Sequence, residues 1–376
     1  VKGFRKTKNG LYVNDEEAQD TVNFIQALKH TKDPWYGIPF DLLPWQDNLI
    51  RDVFGTVNPK TGYRQYNTAY VEIPKKQGKT ELAAAVALKM LCGDDERGGE
   101  IYGCACDKEN ASQTFDVAFD MVDQCPALKK RIKPIISKKR MVYKPLGSFY
   151  QVLSSEAFSK HGLNVSGCVF DELHAQPNRE LWDVMTKGAG DARKQPLWFV
   201  TTTAGYDRHS ICWEVHQKAV NLIEGRIKDP TFYPLIYGAK DDDDWTSEKV
   251  WYETNPSLGI TVDIEKVRQA CQDAQDNPAN ENLFRRLRLN QWVKQSNRWM
   301  QMAKWDECDE MIDPKLLRGR ACYGGLDLSS TMDLTSFVLC FPPRNESEKY
   351  IFLCWFWIPL DMILQIKKLS IIITKH

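Results

Sequence analysis

The chain has 376 residues, 43% of them hydrophobic and 11% aromatic, which excludes a disordered segment and leaves room for two or three domains. Its 50 basic and 50 acidic residues cancel, so the molecule's overall field cannot hold a polyanion and any nucleic-acid partner needs local basic patches. Eleven scattered cysteines without a CxxC pair argue against a zinc or disulfide framework and read as reduced, mostly buried thiols.

In chain order, the opening "VKGFRKTKNGLYVNDEE" has no apolar core behind its charges and is not a secretory signal. From Thr68 the pattern is strand ("TAYVEI"), loop, helix ("TELAAAVALKML", closed by Gly93) and strand ("EIYGCAC"), which is βαβ logic. "MVYKPLGSFYQVLSS" predicts a hairpin turning at Pro145, Leu146 and Gly147. "GCVFDE" and "PLWFVTTTAG" are continuous apolar runs ending in polar residues, the signature of buried strands in a mostly parallel sheet.

After Gly205 the sequence turns helical and charged, with no long apolar strand. The acidic run Asp241 to Asp244 reads as a solvated loop rather than a metal site, and helices are expected around "DIEKVRQACQDAQ" and "ENLFRRLRLNQWV". "ACYGGLDLSSTMDLTSFVLCF" is again β-like. The most apolar tract, "YIFLCWFWIPLDMIL", is broken by Pro359 and Asp361 and reads as a strand pair or buried edge, not a membrane span. The expected division is 1–40 as an N-terminal segment, 41–210 as an α/β core, 211–318 as a helical region and 319–376 as a further β domain.

The chemistry begins at "VEIPKKQGKTELAAAVALKMLCG". Gly78, Lys79 and Thr80 supply the second half of the phosphate-loop pattern G-x-x-x-x-G-K-[ST], while Ile73 stands where the first glycine belongs. Loop N–H groups, the Lys79 ammonium on the β- and γ-phosphates and the Thr80 hydroxyl on Mg²⁺ are the parts such a site needs. Lys75 and Lys76 either add positive charge near the γ-phosphate or are simply solvated. In "NVSGCVFDELHAQ" the run Cys168 to Phe170 delivers Asp171 and Glu172 to a strand's C-terminal end, where open α/β sheets bind ligands. Alone, this acidic pair reads as helix N-terminal charge; with the Gly-Lys-Thr upstream, Asp171 reads as the holder of the Mg²⁺ hydration shell and Glu172 as the residue that orients and deprotonates water.

These residues resemble the large terminase subunit of tailed bacteriophages, the ATP-driven motor that packages DNA into a prohead. "LLPWQDNLI" is similar to the family's adenine-recognition segment, with Gln46 in the base-reading position and Trp45 beside it. "IPKKQGKT" is similar to its phosphate loop, which commonly lacks the first glycine and carries early basic residues. "VFDELHAQPN" resembles its Asp-Glu strand, and "TTTAG" its coupling motif. "NPSLG…FRRLRLNQW" is similar to the region between ATPase and nuclease, and "GGLDLSSTMDLTS" to the start of the nuclease.

The resemblance implies an α/β fold: a P-loop ATPase core with a mostly parallel sheet, a helical lid or linker subdomain, and an incomplete RNase H-like nuclease start. It implies ATP and Mg²⁺ as cofactors, with nucleotide contacts from Gln46, Lys75, Lys76, Gln77, Gly78, Lys79 and Thr80, metal contacts from Thr80 and Asp171, catalysis by Glu172 and Lys79, and γ-phosphate sensing by Thr201, Thr202 and Thr203. Its implied partners are double-stranded DNA, a small terminase subunit and a portal on a prohead. It further implies a homo-oligomeric ring in which a neighbour supplies a cation, in the host cytoplasm and away from membranes.

For DNA, the stretch from Pro126 to Ser155 carries Lys129, Lys130, Arg131, Lys133, Lys138, Lys139, Arg140 and Lys144 with no acidic residue. It reads as a phosphate-contacting patch, the alternative being a patch that serves solubility. The polar loop "SSEAFSKHGLNVS" is a candidate carrier of hydrolysis-linked movement. Asp327 is the expected first metal ligand, for Mg²⁺ or Mn²⁺, of the nuclease, with Asp333 secondary or structural; one carboxylate cannot hold two ions about 4 Å apart. The tail "DMILQIKKLSIIITKH" does not read like the family's continuation. A truncated or frame-altered product with absent or very weak DNA cleavage is therefore expected. The competing readings are a non-catalytic terminase remnant that binds DNA or partners, and a P-loop helicase or other translocase.

Overall fold

The computed structural model describes residues 4–7, 10–153, 162–293, 307–308, 312–328 and 335–357. The chain divides into two compact units, Val1–Gln301 and Met302–His376. Most of the loop "SSEAFSKHGLNVS", Asp333 and the final tail lie outside the described residues. No helix among the described residues is long and apolar enough to cross a membrane.

The first unit opens with β1 (Arg5–Lys6) and β2 (Tyr12–Val13), which form a small antiparallel sheet with β3 (Thr56–Val57). Between them run α1 (Asp15–Gln26) and α2 (Pro44–Gly55). The main sheet has eight strands: β4 (Thr68–Glu72), β5 (Glu100–Cys104), β6 (Ile132–Ile135), β7 (Arg140–Tyr143), β8 (Ser148–Val152), β9 (Val165–Asp171), β10 (Leu197–Thr202) and β11 (Phe232–Ile236). Their spatial order is β11-β4-β10-β9-β5-β8-β7-β6. The first six are mutually parallel, and β7 and β6 close one side antiparallel. The hairpin expected at Pro145 to Gly147 is the β7–β8 turn.

Helices α3 (Lys79–Gly93), α4 (Lys108–Gln124) and α5 (Pro126–Arg131) follow β4 and β5, and α6 (Glu180–Thr186) and α7 (Ile211–Ile223) follow β9 and β10. Along β10, Phe199 joins the core with Leu82, Val86 and Phe115, whereas Trp198 and Val200 join the opposite core with Leu181 and Cys212. Side chains alternate across a strand, so a strand covered on both faces must be apolar at every position. Accordingly β9 and β10 are buried throughout. Helix α3 is Ala-rich and buried on nearly all sides, as expected of an all-round apolar helix.

Two elements beyond residue 210 also pack on this sheet. Helix α7 contributes Ile211, Cys212, Val215 and Ala219 to its core, and β11 pairs with β4 at the edge. The sequence after Gly205 shows no long apolar strand. Pro234 interrupts the run, and a proline that cannot donate to a ladder is tolerated on an edge strand, which is where β11 lies. Helices α8 (Glu248–Thr254), α9 (Ile264–Asp276) and α10 (Pro278–Leu289) form their own small core around Trp251, Val267 and Phe284. In the second unit, β12 (Tyr323–Asp327), β13 (Thr335–Phe341) and β14 (Ile351–Trp357) make a three-stranded antiparallel sheet, the β-like segment anticipated from sequence.

Candidate nucleotide site

Strand register assembles the site. Val71 of β4 pairs with Thr201 of β10, which pairs on its other side with Asp171 of β9, and Glu72 pairs with Thr202. The chain leaves all three strands at the same C-terminal edge, so the loop after β4 faces the Asp171–Glu172 corner across β10.

The missing first glycine has a local explanation. Ile73 is fully buried, and the left-handed turns of the loop fall at Lys76 (φ 69°) and Gly78 (φ 83°), so no glycine is required at position 73. The Ile73 N–H donates to the Thr202 carbonyl at 3.1 Å, and its own carbonyl accepts from Lys79 Nζ at 3.2 Å. Lys79 opens α3 and is 6% exposed. Burial pulls its ammonium below the usual lysine value, opposed by Glu172 and Asp171.

Lys79 Nζ lies 3.8 Å from Glu172 Oε1. Asp171 Oδ1 accepts from the Thr201 hydroxyl at 2.8 Å and the Glu172 N–H at 3.0 Å, while Oδ2 accepts from the Thr114 hydroxyl at 3.2 Å. Burial, then the neighbouring Glu172 charge, raises the Asp171 carboxyl. Glu172 sits in the left-handed region at φ 51°. Burial alone would raise its carboxyl too, but the His174 hydrogen bond and the charge of Lys79 outweigh it and bring the group to about 2. Glu172 is thus ionised across the neutral range. A carboxylate held so low is a weak base, better suited to orienting water than to removing a proton. Thr203 donates to Glu172 Oε2 at 3.5 Å.

Mg²⁺ takes oxygen ligands and keeps several waters, so it needs few protein donors. The Thr80 hydroxyl, which has no hydrogen-bond partner among the described residues, and Asp171, oriented by three donors, fit that demand.

The outer side of the loop is held by the helical segment. The Lys75 N–H donates to the Leu287 carbonyl at 3.0 Å and the Thr261 hydroxyl to the Lys76 carbonyl at 2.9 Å. Both lysine side chains are exposed. The Gln77 side chain, expected at the nucleotide, is instead fully buried and engaged at both ends: Nε2 donates to Asn255 Oδ1 at 2.9 Å, and Oε1 accepts from the Ser257 N–H at 3.0 Å. It ties the loop to the segment after α8. Trp45 donates to the Ser257 hydroxyl at 3.0 Å. Gln46 Oε1 accepts from the Leu43 N–H at 3.0 Å, and its Nε2 lies 3.3 Å from where a Cβ on Gly78 would stand.

Two family models match the chain, the ATPase domain of the terminase large subunit over residues 44–220 and its endonuclease domain over residues 226–373. The chain belongs to the terminase large subunit family. The terminase large subunit of Enterobacteria phage HK97 is 30% identical over 306 residues, covering 81% of this chain and 58% of that protein. Protein YmfN of Escherichia coli K12 is 27% identical over 203 residues, covering 53% of this chain and 44% of its own length. The crystal structure of the HK97 bacteriophage large terminase aligns with a TM-score of 0.65 at 26% identity, over 94% of this chain and 70% of that one. This terminase chain thus spans about half the length of the curated relatives it matches.

One polar cluster of this terminase was not anticipated. Helix α10 ends at Asn290 in the left-handed region (φ 52°), which asparagine tolerates at a helix C-terminus. Asn290 then donates to the Tyr237 carbonyl at 2.7 Å and accepts from the Ala204 N–H at 2.6 Å. Beside it Glu72, 0% exposed, receives Tyr70 Oη at 2.5 Å, His216 Nδ1 at 2.8 Å and Trp292 Nε1 at 3.1 Å. Burial, with the nearby Cys212 and Glu72, pushes the Tyr70 phenol far up. Glu72→Ala leaves these donors buried without their acceptor, at a cost of roughly 3–5 kcal/mol. The shift in urea midpoint measures it, and a change below about 1 kcal/mol would contradict the role given to this carboxylate.

The basic stretch of this terminase lies on α5, β6 and β7, at the sheet edge opposite β11. Two members are neutralised by α4: Lys129 pairs with Asp123 and Lys139 with Asp116, each at 2.6 Å. Arg140 packs over Phe149, its guanidinium carbon 3.7 Å from the ring centre. Lys130, Arg131, Lys133, Lys138 and Lys144 are exposed, without an acidic partner among the described residues. In the second unit Asp327 is exposed at the end of β12, paired in register with Ser336. It is the one carboxylate on the three strands of that sheet.

Proposed function

We propose that this chain hydrolyses ATP at the β4–α3 loop to drive double-stranded DNA into a prohead, as a large terminase subunit. The observation that carries the reading is the meeting of Lys79, Asp171 and Glu172 across β10 at one sheet edge. ATP is bound by the N–H groups at the start of α3, by Lys79 and, at the base, by Gln46. Thr80 and Asp171 would hold Mg²⁺, which when bound would supply charge stabilisation for the transferred phosphoryl group. Glu172 aligns the attacking water, and Thr201 to Thr203 respond to the γ-phosphate through the contacts of β10 with both acidic residues. Catalysis of this kind is positioning and electrostatics.

The exposed lysines and arginine of α5 to β7 hold DNA phosphates without reading sequence. Asp327 supplies one ligand of a nuclease centre using Mg²⁺ or Mn²⁺. Partners are a small terminase subunit, the portal of a prohead and further copies of the chain in a ring, in the host cytoplasm.

The test is Mg²⁺-dependent phosphate release from ATP with and without linear double-stranded DNA. Release should rise with DNA, and about four or five phosphate contacts should lower the apparent DNA affinity by roughly 10²–10³ between about 50 and 200 mM salt. Hydrolysis indifferent to DNA contradicts the motor. Bound nucleotide without turnover favours a non-catalytic remnant, and unwinding of a forked duplex favours a helicase.

A further inference from the structure

His174 stands where the acidic corner meets β10. Its Nδ1 lies 3.0 Å from Glu172 Oε2, 3.3 Å from Thr202 Oγ1 and 3.3 Å from Thr203 Oγ1, and its backbone N–H donates to Thr202 Oγ1 at 3.0 Å. The protons can be assigned from the partners. The Thr202 hydroxyl gives its proton to the Thr203 carbonyl at 3.0 Å, and the Thr203 hydroxyl gives its own to Glu172 Oε2 at 3.5 Å. Toward His174, both hydroxyls are therefore acceptors, and an ionised carboxylate is only ever an acceptor. Three acceptors around one ring nitrogen require that Nδ1 carry a proton and donate.

The two carboxylate oxygens of Glu172 thus have separate holds. Oε1 faces Lys79 at 3.8 Å, and Oε2 faces His174 and Thr203. When Lys79 turns to a phosphate the first hold is lost. Glu172 also occupies a left-handed backbone conformation, φ 51° and ψ 54°, that persists in a non-glycine residue only where the surroundings impose it.

We propose that His174 is the positioning residue for Glu172, its Nδ1–H fixing the carboxylate against Thr202 and Thr203 so that the water-aligning group stays aimed after Lys79 has engaged the nucleotide. This rests on the ATPase reading above. It makes β10 and Glu172 move together, since one imidazole and its own backbone N–H hold both.

The experiment compares His174→Ala, His174→Asn and His174→Gln in the full chain. An asparagine amide N–H falls near the place of Nδ1, and a glutamine amide reaches the place of Nε2. Misplacement of a catalytic group by about 1 Å costs about 10²-fold, so kcat should fall roughly 10–100-fold in the Ala and Gln variants. KM for ATP and the affinity for a non-hydrolysable analogue should stay within about threefold, because His174 is not in the phosphate loop. The Asn variant should recover most of kcat.

Undiminished turnover in His174→Ala overturns the proposal, as does equal rescue by Asn and Gln, or a KM that rises in step with the loss of kcat. If the Ala variant does not fold, the Asn and Gln pair decides by itself. A wild type that binds ATP but releases no phosphate overturns the ATPase reading and this inference together, whereas an active wild type beside an active His174→Ala overturns this one alone.

Discussion

Glu172→Gln should lower ATP turnover by about 10²–10⁴-fold while nucleotide affinity changes by no more than a few-fold. The substitution keeps the size of the side chain and removes only its charge. The Thr203 hydroxyl and His174 Nδ1–H, which now meet Oε2, still find an amide oxygen there. On the proposed mechanism, what is lost is the anion that aligns the attacking water. Lys79 loses a counter-charge 3.8 Å away and is freer to meet a phosphate, so binding does not weaken. Single-turnover phosphate release, paired with a titration of a non-hydrolysable analogue, separates the two effects. Retention of a tenth or more of the wild-type rate would assign water alignment to another group.

Lys79→Ala should abolish detectable hydrolysis, about 10³-fold or more, and should also weaken nucleotide binding by at least about tenfold. Both losses come from one atom. Nζ is buried, bonded to the Ile73 carbonyl at 3.2 Å and poised beside Glu172, so it is the only cation this corner holds inside the protein among the described residues. Its removal leaves Asp171 and Glu172 facing each other without that charge, which raises the cost of bringing phosphates in. Lys79→Arg should not rescue, because a planar guanidinium fork does not reproduce the point charge of a compact ammonium. Binding as tight as wild type in Lys79→Ala would sink this account of the loop. Together the two substitutions divide the site into a group that serves binding and turnover and a group that serves turnover alone.

Much of the site was legible because its parts are local. The run from Thr68 through Gly93 states a strand, a phosphate loop and a buried helix in consecutive residues, and the structure has β4, the loop and α3 there. The apolar runs before Asp171 and Thr201 announce strands covered on both faces, and β9 and β10 are buried throughout. Even the absent glycine at Ile73 is a local matter of backbone angle.

Other features depend on partners far away in the chain. Gln77 sits in the middle of the loop motif, yet its amide is consumed by Asn255 and Ser257, residues about 180 positions on. The stretch that reads as uniformly basic loses Lys129 and Lys139 to aspartates of α4. Glu72 looks like the last residue of an ordinary strand until His216, Asn290 and Trp292, from distant parts of the chain, join Tyr70 of the same strand around it.

The sequence by itself therefore determined the family, the strand, loop and helix from Thr68 to Gly93, and the buried strands that end at Asp171 and at the threonines Thr201 and Thr202. These follow from hydrophobic period, backbone preference and side-chain chemistry within a few residues. The tertiary structure alone decided which strands lie side by side, that β11 completes the sheet edge, and that His174 and Thr203 meet at one carboxylate oxygen of Glu172. Those outcomes rest on strand register and on the requirement that every buried polar group find a partner, and such partners are set by distance in space rather than along the chain.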